Sequence, residues 1–115
     1  MDQSYEFSQS GNIKVLRVNS LLGEFTNREI LSQAQDCIDD GFTKFVVSLE
    51  GMAYTNSVGL NFLISLQARC QDRDGAVVVA HVSDKIIQLL EITKLRPLFT
   101  ITDSVEEALS LINEF

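Results

Sequence analysis

Apolar positions along the chain change their period several times, and each change marks an element. Tyr5 to Ser8 and Asn12 to Asn19 are two short strand-like runs either side of Gln9-Ser10-Gly11, which suits a hairpin. Ile13, Val15, Leu16 and Val18 make the second run apolar enough for the centre of a sheet. Beyond Ser20-Leu21-Leu22-Gly23-Glu24-Phe25, which reads as a loop, the spacing becomes helical: Ile30, Leu31, Ala34, Cys37 and Ile38 fall on one face. Thr26-Asn27-Arg28-Glu29 has the form of a capping box and predicts the start of that helix; Asp39-Asp40-Gly41 predicts its end.

Phe45 to Leu49 is a short apolar run with the length and composition of a buried strand, and its connection to the preceding strand through a helix predicts a parallel pair joined by a right-handed crossover. A long apolar helix opens at Ser57. On a helical wheel Leu60, Leu63, Ile64 and Ala68 centre on one side, Asn61, Ser65 and Arg69 form a polar strip opposite, and Phe62 and Leu66 lie on the flank beside that strip. Ala76 to Ala80 is a further buried strand, entered through Asp72-Arg73-Asp74-Gly75. Ser83 caps a helix carrying Ile86, Ile87, Leu89, Leu90 and Ile92; Pro97 marks a turn, and Leu98 to Ile101 a fifth strand. Ser104-Val105-Glu106-Glu107 repeats the capping-box form before a last helix with Val105, Ala108, Leu109 and Ile112 as its apolar stripe. The resulting order is ββαβαβαβα: an α/β fold with a mixed, mostly parallel five-stranded sheet and four helices packed on it, in a single domain over residues 1–115.

Composition narrows the partners. The chain has 115 residues, 45% hydrophobic with one proline, which suffices for a single core. A net charge of −7 repels nucleic-acid phosphates and anionic lipid, so the expected partners are proteins, with no nucleic acid and no membrane. MDQSYEF at the N-terminus is neither basic nor apolar, and no apolar run approaches the ~20 residues of a membrane span; the expectation is a cytoplasmic monomer.

Most site chemistries are excluded by what the motifs lack. His81 is the only histidine and has no Cys or His neighbour at metal-ligand spacing, so it reads as a strand-end residue with a local hydrogen bond, and no metal is expected. Cys37 and Cys70, without CxxC spacing, read as reduced residues on apolar helix faces. No glycine-rich phosphate loop follows any strand, and no cofactor is expected. Ser57 has no G-x-S-x-G elbow and no second histidine as base. Clustered acids of the kind that surround a phosphoacceptor aspartate are missing: Glu50 follows the third strand, but Asn19-Ser20 ends the first parallel one. No acid/base or nucleophile/base pair supports an enzyme.

What remains is the stretch Glu50 to Cys70, where small polar residues lie between a buried strand and a helix start. Asn56 is a strong N-cap type, able to accept from the backbone N–H of Val58 or Gly59. Ser57 is then the first helical residue, with its hydroxyl unused by capping and directed to solvent. A phosphate on Ser57 would sit at the positive end of the helix dipole and add ~1.5–2 negative charges to the surface. The simpler alternative is that Ser57 is only a helix-start residue. Phe62 and Leu66 likewise admit two readings, an apolar flank offered to a partner or side chains covered by a neighbouring helix.

The run Leu49-Glu50-Gly51-Met52-Ala53-Tyr54-Thr55-Asn56-Ser57-Val58-Gly59-Leu60 resembles the signature of the anti-sigma-factor antagonists, small single-domain proteins of the STAS class, whose segment reads D-S-x-G-L-G. Asn56 stands at the family's aspartate, Ser57 at its phosphoacceptor serine and Gly59-Leu60 at the following Gly-Leu. Asn61 replaces the second glycine, and Gly23 stands where the family often has an aspartate. The likeness extends along the chain through Leu89 to Leu95 and Ile101 to Ala108. It implies partner switching without catalysis: binding to a GHKL-type serine kinase that is also an anti-sigma factor, phosphorylation at Ser57 by that kinase, and reversal by a PP2C-type phosphatase. If Phe62 is a flank offered to a partner, the expected contact surface comprises Leu22, Gly23, Glu24 and Phe25 together with Thr55, Asn56, Ser57, Val58, Gly59, Asn61 and Phe62. The alternative within the same fold is an interaction module that is never phosphorylated, such as a subunit attached to a transport ATPase.

Overall fold

Both faces of the central strands are apolar, so the sheet needs a layer on each side, and it has one. The computed structural model describes residues 5–21 and 23–114. The elements are β1 (Tyr5–Ser10), β2 (Ile13–Val18), α1 (Glu24–Asp39), β3 (Lys44–Ser48), α2 (Ser57–Gln71), β4 (Ala76–Ala80), α3 (Asp84–Ile92), a 3₁₀ turn (Arg96–Leu98), β5 (Thr100–Thr102) and α4 (Val105–Ile112). They form one five-stranded sheet in the spatial order β1-β2-β3-β4-β5. β1 and β2 are antiparallel, closed by a two-residue turn in which Gly11 takes φ 60°; β2 to β5 run parallel. The expected fold class and element order are those observed.

Alternation along each strand divides the core. Leu16, Val18, Phe45, Val47, Val77 and Val79 face the layer of α1, α2 and α3, meeting Ile30, Ala34, Leu63, Leu66 and Ile86. Ile13, Val15, Val46, Val78 and Ala80 face the other way, where Ala108 and Ile112 of α4 cover them. The parallel strands β3 and β4 are buried almost end to end, as strands between two helical layers must be.

Three sequence expectations are corrected. α1 begins at Glu24 with Gly23 as its N-cap, not at the Thr26 capping box, and Asn27 N–H donates to Gly23 O at 3.0 Å. The reason is tertiary. Asn27 is buried and its side-chain amide is drawn to two carbonyls outside its own helix, so the turn carrying it must already be helical. Glu24 and Phe25, expected in a loop, are therefore helical. β5 spans only Thr100–Thr102, because Pro97 lies in a 3₁₀ turn that takes up Leu98, and pairing with β4 starts at Thr100. On α2 the buried residues are Gly59, Leu60, Phe62, Leu63, Leu66 and Cys70, while Ile64 is half-buried and Ala68 exposed. The apolar face is rotated from the wheel because α1 packs along α2 and covers Phe62 and Leu66, which are 3% and 0% exposed.

Candidate functional site

The loop from β3 to α2 is built by alternating anchors and free positions. Leu49 and Met52 are buried, with Met52 N–H donating to Leu49 O; Ala53 and Tyr54 are exposed; Thr55 is buried; Asn56 is half-buried; Ser57 is exposed. Asn56 is extended (φ −127°, ψ −171°), and its Oδ1 accepts from Gly59 N–H at 3.1 Å while Leu60 N–H donates to Asn56 O, which is N-cap geometry. The expected cap is thus present. Ser57 follows as the first helical residue, and its hydroxyl makes no hydrogen bond among the described residues.

Gly59 is required where it is. A Cβ there would collide with Thr55 Oγ1 and lie 3.1 Å from both Leu21 Cβ and the Leu21 carbonyl. The start of α2 therefore sits directly on the chain leading out of β2. Asn27 fastens the same junction from α1, its Nδ2 donating to Leu21 O at 2.9 Å and to Val58 O at 3.3 Å. From the other side Ser83 Oγ donates to Ala53 O at 2.8 Å and accepts from Ile86 N–H at 3.2 Å, so one hydroxyl caps α3 and holds the loop before Ser57. Thr55 Oγ1 and Asn27 Oδ1 are buried without a partner, which leaves two polar atoms uncompensated beside this loop.

The electrostatics of α2 differ from those of its neighbours. The first turns of α1, α3 and α4 carry Glu24, Asp84, and Glu106 with Glu107; the first turn of α2 carries no acid. Its N-terminal dipole is left without the anion that the other three have, next to an exposed hydroxyl.

The sequence-predicted site residues divide by accessibility. Gly23, Glu24, Phe25, Ser57 and Asn61 are exposed, Asn56 and Val58 are half-buried, and Leu22 lies outside the described residues. Thr55, Gly59 and Phe62 are buried, so Phe62 on an exposed flank is a correction: α1 covers it, and only its edge is left to line a groove. That groove, about 200 Å³, runs between α1 and α2 and brings Glu24, Val58, Asn61 and Phe62 together with Asn27 and Arg28. The two segments expected to share a surface are therefore adjacent. Phe25 and Tyr54 are 76% and 55% exposed near this end of the molecule. Tyr54 was missed by the sequence reading, although a large aromatic in a polar turn, outside any periodic run, was the signal.

The other candidate groups have structural surroundings. His81, half-buried with φ 57° at the end of β4, places Nε2 3.4 Å from Glu50 Oε2, which is its local partner. Burial pushes the Cys70 thiol up to about 12. Burial also raises Cys37, aided by Asp40 and Asp36 and opposed by Lys14. Neither thiol is poised as a thiolate nucleophile. Among the described residues no group of His, Cys, Asp and Glu is placed to hold a metal ion, and no helix is long and apolar enough to cross a membrane.

Comparison with known proteins agrees with this architecture. The STAS domain family model matches residues 4–108. An anti-sigma-B factor antagonist of Staphylococcus aureus is 29% identical over 105 residues, covering 91% of this chain and 89% of that protein. Among solved structures, the anti-sigma factor antagonist SpoIIAA in its unphosphorylated form superposes with a TM-score of 0.81 at 15% identity, covering 96% of this chain and 97% of that one. The phosphorylated form of SpoIIAA, a Bacillus cell fate determinant, gives 0.74 at 15% identity, covering 94% and 98%. The chain belongs to the STAS domain family.

Proposed function

We propose that this STAS domain is an anti-sigma-factor antagonist that works by partner switching. Unphosphorylated, it binds a GHKL-type serine kinase that is also an anti-sigma factor, and the sigma factor is released. The kinase then transfers the γ-phosphoryl group of ATP to Ser57 Oγ: the hydroxyl proton leaves, a P–O bond to Ser57 forms, and ADP departs. The added dianionic charge ends the complex, and a PP2C-type phosphatase hydrolyses the phosphoserine to restore the hydroxyl.

The observation that carries this reading is the state of Ser57: exposed, without a hydrogen-bond partner, and first in a helix whose opening turn has no acid. A phosphate there gains the α2 dipole and nearby backbone donors, so the modified domain stays folded. The same phosphate adds ~1.5–2 negative charges beside the exposed Phe25 and Tyr54, where a protein partner would have to exclude water. Phosphorylation thus acts on the interface and leaves the fold intact. Names of relatives support the reading: the Staphylococcus aureus relative is an anti-sigma-B factor antagonist, and SpoIIAA exists in both forms. The partner surface combines Gly23, Glu24, Phe25, Asn56, Ser57, Val58 and Asn61 with Tyr54.

Incubation with the cognate kinase and ATP, followed by intact-mass analysis and site mapping, tests this. A single phosphate on Ser57, lost in Ser57→Ala, with kinase binding kept by Ser57→Ala and weakened by Ser57→Asp, is the expected result. Binding without any phosphate transfer would instead make the chain a STAS interaction module regulated in another way. Phosphate on Thr55 or another hydroxyl would overturn the assignment of Ser57.

A further inference from the structure

A second apolar surface lies at the opposite end of the helical layer. Ile92, the last residue of α3, is 78% exposed, and Leu98, in the 3₁₀ turn, is 51% exposed; with Phe25 and Tyr54 they are the large hydrophobic side chains most open to solvent among the described residues. Leu89 and Ile92 lie on one face of α3, with Leu89 half-buried. The chain turns at Lys94 (φ 63°), and Leu95 N–H returns to Leu90 O at 2.8 Å, which brings the 3₁₀ turn back beside the end of α3. Gln67 of α2 anchors that turn through Leu98 O.

Charge distinguishes this corner from the rest of the molecule. Residues 92–98 hold Lys94 and Arg96 and none of the chain's sixteen acids. Glu91 falls on a different face of α3 from Leu89 and Ile92. Arg28 and Arg73 are paired with Glu24 and Asp39, whereas Lys94 and Arg96 make no ion pair among the described residues. A locally cationic, apolar corner on a chain of net charge −7 is complementary to a narrow acidic element bearing apolar side chains. A flat anionic bilayer would also meet the acidic remainder of the chain, and two such corners would repel one another.

We infer that the corner formed by Leu89, Ile92, Lys94 and Leu98 docks an acidic amphipathic segment of a partner protein, independently of the state of Ser57. Independence follows from distance. Ser57 and Gln67 lie ten residues apart on α2, about 15 Å along its axis, and Leu98 lies beyond Gln67. That exceeds the screening length of about 8 Å at physiological salt, so a phosphate at Ser57 exerts little force on a partner held here. The corner would keep a partner attached while the Ser57 end switches.

The probe is a synthetic helical peptide of glutamate and leucine only, titrated into the ¹⁵N-labelled full chain at low and at physiological salt. Amide shifts concentrated in residues 89–98, affinity weakened at least ten-fold in Ile92→Asp and in Lys94→Glu, weaker binding at higher salt, and no change in Ser57→Asp are expected. Leu98→Asp provides a second apolar variant, and a melting curve confirms that each variant is folded. Shifts centred on Gly23 to Arg28 or Tyr54 to Asn61, equal binding of a lysine-leucine peptide, self-association through these residues, or capture by phosphatidylglycerol vesicles in place of the peptide would each overturn it. None of these outcomes depends on phosphate transfer to Ser57.

Discussion

Ser57 and Ser83 occupy almost the same place in the architecture, each between the exit of a parallel strand and the first turn of a helix, yet their hydroxyls have opposite fates. Ser83 is the N-cap of α3, and its Oγ is fully engaged, accepting from Ile86 N–H and donating to Ala53 O. Ser57 stands one position further in. Asn56 performs the capping, so the Ser57 hydroxyl is left exposed and unbonded. A shift of one residue relative to the cap separates a serine that holds the fold from one that chemistry can reach. The two are also connected, since Ser83 fixes the loop from which Ser57 projects.

The comparison depends on α2 being held in place, and the largest effect should come from loosening it. Phe62→Ala removes a side chain 3% exposed between α1 and α2 and should cost about 3–5 kcal/mol in chemical denaturation, with any loss of kinase binding following from lost structure. A Phe62→Ala domain of unchanged stability but weaker binding would return Phe62 to the surface. Ser83→Ala loses a cap worth about 1 kcal/mol and the bond to Ala53 O, worth about 1 more, so a fall of about 2 kcal/mol is expected. Faster hydrogen exchange at the start of α2 in that variant would show the link between the two serines directly.

Smaller effects sharpen the contrast. Asn56→Ala should lower stability by about 1 kcal/mol through loss of the bond to Gly59 N–H, read as a shift in denaturation midpoint at constant slope. Ser57→Ala should change stability by less than about 0.5 kcal/mol, because its hydroxyl supports nothing in the fold. A loss in Ser57→Ala as large as that in Ser83→Ala would show that both serines are structural and remove the distinction.

The parts of the fold carried by local rules were readable along the chain. Strand periods, the Asn56, Ser83 and Ser104 caps and the exposed position of Ser57 depend on residues within a few positions of one another, and the structure contains all of them. Where a local rule competed with a distant contact, the distant contact prevailed. The Thr26-Glu29 capping box yielded to Asn27, whose amide binds carbonyls at Leu21 and Val58, and α1 began at Glu24 instead.

By itself the sequence determined the order of elements, the mixed sheet and the identity of the one small polar cluster at a helix start. Period and capping chemistry are properties of neighbouring residues, and they survive without knowledge of what packs on them. Only the tertiary structure decided which faces were left over. α1 closes over Phe62 and Leu66 because two helices on one sheet face must bury their shared seam, whereas Phe25, Tyr54, Ile92 and Leu98 lie beyond that seam and stay open. Which apolar side chains stay exposed is a property of the assembled layers, and the spacing along a single helix does not encode it.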